Sequence, residues 1–395
     1  MIAGDDPYSL FAELRASSPV HQLGDSAFYL VSSWDLIAEV LKRADDFSSN
    51  LTATMVVHRD GTLTEYPVAP LGSPLHVLAT ADEPVHRAHR AMVMPALVAS
   101  RVRALSPFIS ATLEQLWRDG LEEGRIDWVH AVAERLPMLV VTELVGLPET
   151  DVDELVRWAF ASTMLLDGVV TPEQLRDAST AVTELATYLA AAFTDARKSP
   201  CDNVLGDLAR LVNSGDLGHD TAVMILIQLV AAGAESTISI LGTAVWLLGR
   251  HDDIVGRLRA DRSLVGPFIE EALRLESPFR GHFRHVVHET TLDDVVLPAG
   301  SHLYLAWGAA NRDPQRFDDP DTLQLDPPTR PTHMAFGKGI HLCVGAALAR
   351  VESRLAIEFL LDATTTLSLG NTTPHWTHSL LSRRLHTLPL IVHTA

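Results

Sequence analysis

Apolar residues recur along this chain with two different periods, and the changes between them mark its elements. Residues 7–15 carry apolar positions at helical spacing and predict a short amphipathic helix. Two alternating segments, 20–23 and 27–31, flank Gly24-Asp25 and read as a hairpin at the edge of a small sheet. Ser33 stands where a cap belongs, just before the helical run 34–41. From 47 to 78 the pattern dissolves into Ser, Thr, Gly and Pro, which predicts a long loop of the kind that tends to be functional. Helical spacing then dominates, over a stretch opened by residues 82–90 and over 102–118, 129–145, 152–166 and 172–197. The longest pattern, 221–248 with Asp220 as cap, would run roughly 40 Å. It is apolar almost all round, so it is expected to lie buried through the centre of the molecule. Beyond it the pattern predicts a helix around 271–274, short strands over 279–284, 292–299 and 301–307, and a helix from about 344. A terminal hairpin is expected over 375–390, turning near Ser379-Leu380-Leu381.

The resulting fold class is mainly α with small β sheets. No internal repeat or linker divides the elements, so residues 1–395 read as a single domain, and 47% hydrophobic residues can fill one large core. Fifty acidic against 31 basic residues give a net charge of −19, which argues against a nucleic-acid footprint. The first fifteen residues include Asp5, Asp6 and Glu13 without a long apolar run, so neither a signal peptide nor a membrane anchor is expected. The longest apolar stretch, 223–232, contains Gln228 and falls short of a bilayer span. Cys201 and Cys343 occur in unrelated contexts, which suggests free thiols in a reducing cytoplasm.

Candidate chemistry concentrates in residues 333–350. Gly337 and Gly339 permit a tight backbone path, and a helical pattern begins just after Cys343. A thiol at a helix N-terminus is favoured as thiolate, and such a thiolate is an electron-rich ligand for haem iron. The alternative is a buried core thiol. In the long apolar helix, Glu235 and Ser236 are costly unless satisfied. Without further information they read as a salt-bridge partner and a donor to the carbonyl four residues back. His86 and Arg90 share a helix face, as do Glu271 and Arg274, which are spaced to pair. On a strand, 280, 282 and 284 would share one face.

The stretch Phe336-Gly337-Lys338-Gly339-Ile340-His341-Leu342-Cys343-Val344-Gly345, followed by Leu348-Ala349-Arg350, resembles the haem-binding signature of the cytochrome P450 family at every fixed position. The resemblance extends from about residue 5 to 394. It implies the P450 fold, a triangular prism with a long central helix over haem b. It also implies a cytoplasmic, bacterial haem-thiolate monooxygenase, monomeric and free of membrane. Such an enzyme inserts one atom of O2 into a C–H bond of a lipophilic small molecule, with electrons from a ferredoxin and ferredoxin reductase fed by NADH or NADPH. Rival readings are a peroxide-dependent or non-oxygenase haem-thiolate enzyme and a non-catalytic haem-binding sensor.

Carried over residue by residue, Cys343 is the axial iron ligand, with Phe336 and His341 beside the haem. His86, Arg90, Arg284 and His333 fall at positions that contact propionates. Gly233, Glu235 and Ser236 match the glycine, acid and alcohol of a helix segment opened over the iron, with Thr237 adjacent. Serine replaces the usual threonine there, and it loses the β-methyl that restricts the rotamer. Pocket candidates are Ala232, Gly233, Phe279, Arg280, His282 and Leu380, together with Met55, Val56, Val57, Leu71, Leu75 and Leu78. Arg280 or His282 is a possible anchor for a polar substrate group. Glu271 and Arg274 form a structural pair, and residues 323–330 depart from the family's usual Phe-x-x-x-Arg. Arg90, Lys338, Arg350 and Arg354 lie near segments expected around the haem, where a small acidic redox protein could dock.

Overall fold

The computed structural model describes residues 4–58, 60–68, 75–326, 329, 331–370 and 373–394. A thirty-residue helix, His219–Leu248, is its axis. It packs against the helices Leu136–Val145, Val152–Met164, Pro172–Lys198, Val265–Leu275 and Ala346–Ala363. Its Ile, Leu, Val and Ala side chains fill two hydrophobic clusters, one on either side of its middle. This helix is long and apolar enough to cross a membrane by composition alone, but here protein covers most of it. Trp128, fully buried, donates its indole N–H to the carbonyl of Leu241 at 3.0 Å and ties the chain before Leu136 to this axis. Gly218 is the cap rather than Asp220, which sits in the first turn where a carboxylate complements the helix dipole.

Two expected helices are interrupted. The 102–118 pattern is split into Ala99–Ala104 and Ser106–Gly120, with Pro107 in the first turn of the second. A proline ring fits that position and not a helix interior. The 129–145 pattern begins as a wide π turn, Val129–Ala133, before Leu136–Val145 with Pro137 in its first turn. The expected long loop is partly a hairpin, because Ala53–Val57 pairs antiparallel with Leu63–Pro67. Met55 and Val56 are both buried, so the strand shows no alternation in sequence. Leu71, Pro327, Pro328 and Arg330 lie outside the described residues.

The largest sheet has five strands, in the order Val20–Gln22, Phe28–Val31, His302–Leu305, His282–Val286 and Phe47–Ser48. The 20–31 hairpin lies at its edge as the alternation predicts. A second sheet joins Thr364–Leu369, Pro389–Thr394 and Arg125–Asp127. The 375–390 segment forms bridges Trp376 to Leu385 and Phe279 to Ser382 instead of a long hairpin. Regular strand geometry starts only at His282. A Cβ on Gly281 would lie 2.4 Å from Tyr304 Cζ and 2.5 Å from the carbonyl of Leu305, so the chain crosses this sheet where only glycine fits.

Candidate functional site

The cysteine loop is built by its own backbone. Gly337 and Gly339 take left-handed conformations, with φ of 69° and 74°, that a side chain would resist. The amide of Cys343 donates to the carbonyl of Phe336 at 2.9 Å, and a short 3₁₀ turn, Gly339–His341, fills the interior of the loop. Helix Ala346–Ala363 follows, and the amides of Gly345 and Ala346 point at the sulfur. The sulfur is accessible but deep, with protein on most sides. Burial therefore pushes the thiol pKa up, against those two amides and against Arg90 and Arg350. The two amides and the arginines favour the thiolate while burial opposes it, and a coordinated metal would favour it outright.

Around this loop Arg350 lies over the Phe336 ring at 4.5 Å and makes two hydrogen bonds to Glu270, at 2.7 and 2.9 Å. His333 also meets Glu270, at 3.1 Å through Nε2, while its Nδ1 accepts from the Ala335 amide at 3.2 Å. Both ring nitrogens are thus committed within the protein. The structure makes His333 a brace for the loop rather than a propionate contact.

The other three expected propionate positions converge. His86 and Arg90 stand on helix Val85–Val93, with Arg90 donating to the carbonyl of Leu342 at 2.7 Å. The rings of His86 and His341 are 4.1 Å apart, and His341 Nε2 meets Ser49 Oγ at 2.9 Å. Arg284 is buried on the neighbouring strand, which lowers its pKa to about 10. Burial first, then Arg284, His86, Arg90 and His282, hold His341 down at about 3. The nearby carboxylate of Asp82 is occupied by Ser48 and the Ser49 amide. His341 Nδ1 remains buried without a partner among the described residues. A crowd of cationic and imidazole groups beside an unsatisfied donor site suits the two carboxylates of haem b, and the sulfur behind it suits the iron. The residues fit the cofactor.

On the central helix, Ala232 and Ser236 are accessible in a helix otherwise largely buried, and they share one face. Ser236 Oγ donates to the carbonyl of Ala232 at 3.1 Å. The segment 231–237 is continuous α-helix, not the opened one that the resemblance implies. A Cβ on Gly233 would come within 2.7 Å of Val141 Cγ2; this glycine serves close packing against Leu136–Val145. Thr237 is buried, roughly 100° around the helix from Ser236.

Glu235 is 3% exposed and accepts from Ser382 Oγ at 2.6 Å and Arg384 Nε at 3.2 Å. Arg384 lies 3.6 Å from Glu134, which meets the exposed His130 at 3.1 Å. Burial raises the Glu235 pKa, while Arg384 and the Ser382 hydroxyl pull it back. Ser382, Arg384 and Glu134 were not among the expected site residues. The one signal was the pair Arg383-Arg384 at the end of an apolar turn.

Arg280 does not share a face with His282. It is buried and donates to the carbonyl of Gly4 at 3.1 Å, close to Tyr8, Tyr304 and Arg383, which gives it a structural setting instead of a substrate-anchoring one. His282 is accessible, edge-on to Phe279 at 5.2 Å, and its Nδ1 accepts from Trp307 Nε1 at 2.7 Å. Burial, then Arg284, lower its pKa to about 4, so it stays neutral with Nε2 protonated. Leu380 is buried at the hairpin tip, where its amide donates to Asp167 and its carbonyl accepts from Tyr304 Oη. Glu271 and Arg274 form a buried bidentate pair at 2.9 and 2.8 Å, and Arg274 also donates to the carbonyls of Asn311, Pro320 and Thr322. Arg354 is paired with Glu358, and Lys338 lies 5.9 Å from the Trp34 ring.

Comparison with known proteins is consistent over nearly the whole chain. Residues 169–364 match the family model for cytochrome P450. The chain is 48% identical over 387 residues to Cytochrome P450 144 of Mycobacterium tuberculosis, covering 98% of this chain and 89% of that protein. It is 32% identical over 399 residues to 6-deoxyerythronolide B hydroxylase of Saccharopolyspora erythraea, covering 98% and 96%. Among solved structures, CYP109E1 from Bacillus megaterium in complex with testosterone superposes with a TM-score of 0.87 at 26% identity, over 98% of this chain and 97% of that one. P450BioI in complex with an acyl carrier protein ligated to hexadec-9Z-enoic acid gives 0.87 at 25%, over 98% of each.

Proposed function

The chain belongs to the cytochrome P450 family, and from that premise we propose that this haem-thiolate monooxygenase hydroxylates a C–H bond of a lipophilic small molecule. Its electrons come from a ferredoxin and ferredoxin reductase, and it works in the cytoplasm. The observation that carries this reading is a buried acid, Glu235, next to an accessible hydroxyl, Ser236, on the central helix. The relatives' own names support the substrate class. One is a hydroxylase of 6-deoxyerythronolide B, and solved neighbours hold testosterone and a fatty acyl chain.

Haem b, when bound, supplies the activation of dioxygen, for which the protein provides ligation, orientation and protons. Cys343 would hold the iron, and His86, Arg90, Arg284 and His341 would hold the propionates. The Gly345 and Ala346 amides keep the sulfur aimed along its loop.

Glu235 is the group able to hold a proton next to Ser236. Burial favours its protonated form and Arg384 opposes it, so its carboxyl can both take a proton and release it. The carboxyl rests on Ser382 and Arg384, from which Glu134 and His130 lead to the surface. Rotation of the Glu235 side chain from this rest position toward the Ser236 face carries a proton inward. Ser236 must first give up its bond to the Ala232 carbonyl, at a cost of about 1 kcal/mol.

The test is turnover with NADH or NADPH, a ferredoxin system and isotopically labelled dioxygen. One labelled oxygen atom in the product, with reductant consumed in step, is the expected result. Product formed only with added peroxide would favour the peroxide-dependent rival, and haem binding with no turnover of any lipophile would favour the sensor.

A further inference from the structure

Residue 228 is the one amide side chain in the central helix, set inside an otherwise apolar run. Residues 228, 232 and 236 are four apart and lie on one stripe of the helix. Ala232 and Ser236 on that stripe are accessible, and Gln228 stands at its N-terminal end, about 12 Å from Ser236 at 1.5 Å per residue. Its amide is used twice. Oε1 accepts from the Ala79 backbone amide at 3.2 Å, and Nε2 donates to Thr80 Oγ1 at 3.2 Å. Thr80 in turn closes the turn it belongs to, with Oγ1 donating to the Val77 carbonyl at 3.1 Å and accepting from the Val77 amide at 3.3 Å.

This turn, Leu78–Thr80, holds a leucine at φ 41°. A side chain other than glycine persists in the left-handed region only where its surroundings over-determine it. The same short segment runs directly into Asp82, whose carboxylate holds the Ser49 amide, and Ser49 Oγ meets His341. The turn therefore bridges the accessible stripe of the central helix and the cation cluster beside the cysteine loop.

We propose that Gln228 is a positioning residue that holds the Leu78–Thr80 turn, with Leu78 in its left-handed conformation, as the end wall of the substrate cavity. In that role it limits how far a ligand can extend along the central helix away from Ser236. The inference rests on the reading of the space along this stripe as the substrate pocket, and it selects lipophiles by length.

The test uses the purified holoprotein and a series of 1-alkylimidazoles, from ethyl to dodecyl, titrated by the haem absorbance. In the native protein, affinity should climb with chain length and break where the chain meets the turn. Gln228→Leu should leave the ethyl compound within about twofold and tighten the longest chains by about tenfold, moving the break to longer chains; that is roughly the net worth of one hydrogen bond. Gln228→Glu keeps the acceptor for Ala79 and should fall between. Hydrogen exchange at the Ala79 amide should quicken by about tenfold in Gln228→Leu, and less in Gln228→Glu. Parallel shifts across the whole series, or an unchanged Ala79 exchange rate, would overturn the proposal. If no alkylimidazole perturbs the native haem, the substrate-pocket reading fails. The exchange measurement then decides by itself whether Gln228 holds the turn.

Discussion

Cys343 is served by residues two to seven positions away: the amides of Gly345 and Ala346 at its sulfur and the Phe336 carbonyl at its own amide. Glu235, on the wall proposed to face it, is served by Ser382 and Arg384, which are 147 and 149 residues further along the chain. Gln228 reaches the same distance in the other direction, to Ala79 and Thr80. One wall is chiefly a backbone device that a short motif specifies. The other is a set of side chains from separate elements, brought together only when the central helix is packed. The local wall is expected to tolerate change around it and to fail when its own residue is changed. The assembled wall is expected to fail by degrees.

The sharpest break is Cys343→Ser. It should abolish the thiolate-ligated ferrous–CO absorbance while haem remains bound through the cation cluster, as read by pyridine haemochrome content. Persistence of the thiolate band would mean that the ligand is misassigned.

Next in size is Arg274→Ala, which leaves Glu271 buried without its bidentate partner. Stranding a buried charge in this way costs about 3–5 kcal/mol. The expected outcome is loss of soluble holoprotein, or a large fall in unfolding midpoint measured by denaturant titration. This pair lies outside both walls, so ligation in whatever folds should be normal.

Within the assembled wall, Glu235→Gln should slow turnover by about a hundredfold or more, the usual scale for a lost general acid. Arg384→Ala sharpens the comparison through pH. Arg384 holds the Glu235 pKa down, so its removal raises that pKa and keeps the acid protonated to higher pH. The alkaline limb of the turnover profile should then move upward. A profile that does not move would separate Arg384 from the acid.

Ser236→Ala should leave haem content unchanged and divert a larger share of reductant to peroxide. Ser236→Thr, which restores the β-methyl, should divert less than the native serine. Unaltered coupling in both variants would remove Ser236 from the account.

The smallest effect belongs to the brace behind the cysteine loop, to which helix Val265–Leu275 brings Glu270. Burial would raise the Glu270 pKa, but Arg350 and His333 outweigh it and hold it at about 2, against an ordinary 4.5. A carboxylate depressed on folding contributes stability above its unfolded pKa and loses it as pH falls through the folded one. Glu270→Gln should therefore flatten the acid destabilisation between about pH 4.5 and 2. The partners are partly solvated, so the gain is well under the full shift.

This contrast also explains what could be read from the residues alone. Helical periodicity located the central axis, and nine fixed positions located the cysteine loop, because both are written in contiguous sequence. Pro107 and Pro137 broke two helices at places the apolar period spans without interruption. Arg280 does not share the face of His282 because regular strand geometry starts only at His282, so the alternation does not reach back to 280. His333 matched a propionate position, yet Glu270 sits close enough to claim it. Nothing near Glu235 in sequence announces Ser382 or Arg384, and nothing near Gln228 announces the turn at Leu78.

The most direct measurement is a titration of the purified ferric protein with a varied set of lipophiles, followed by the haem absorbance and by azoles as a control. The account predicts a saturable shift from low to high spin with at least one lipophile, with its chain length or bulk limited at the Gln228 end. A haem whose spectrum neither lipophiles nor azoles perturb would contradict it, because the accessible face of the central helix would then not border an open substrate site.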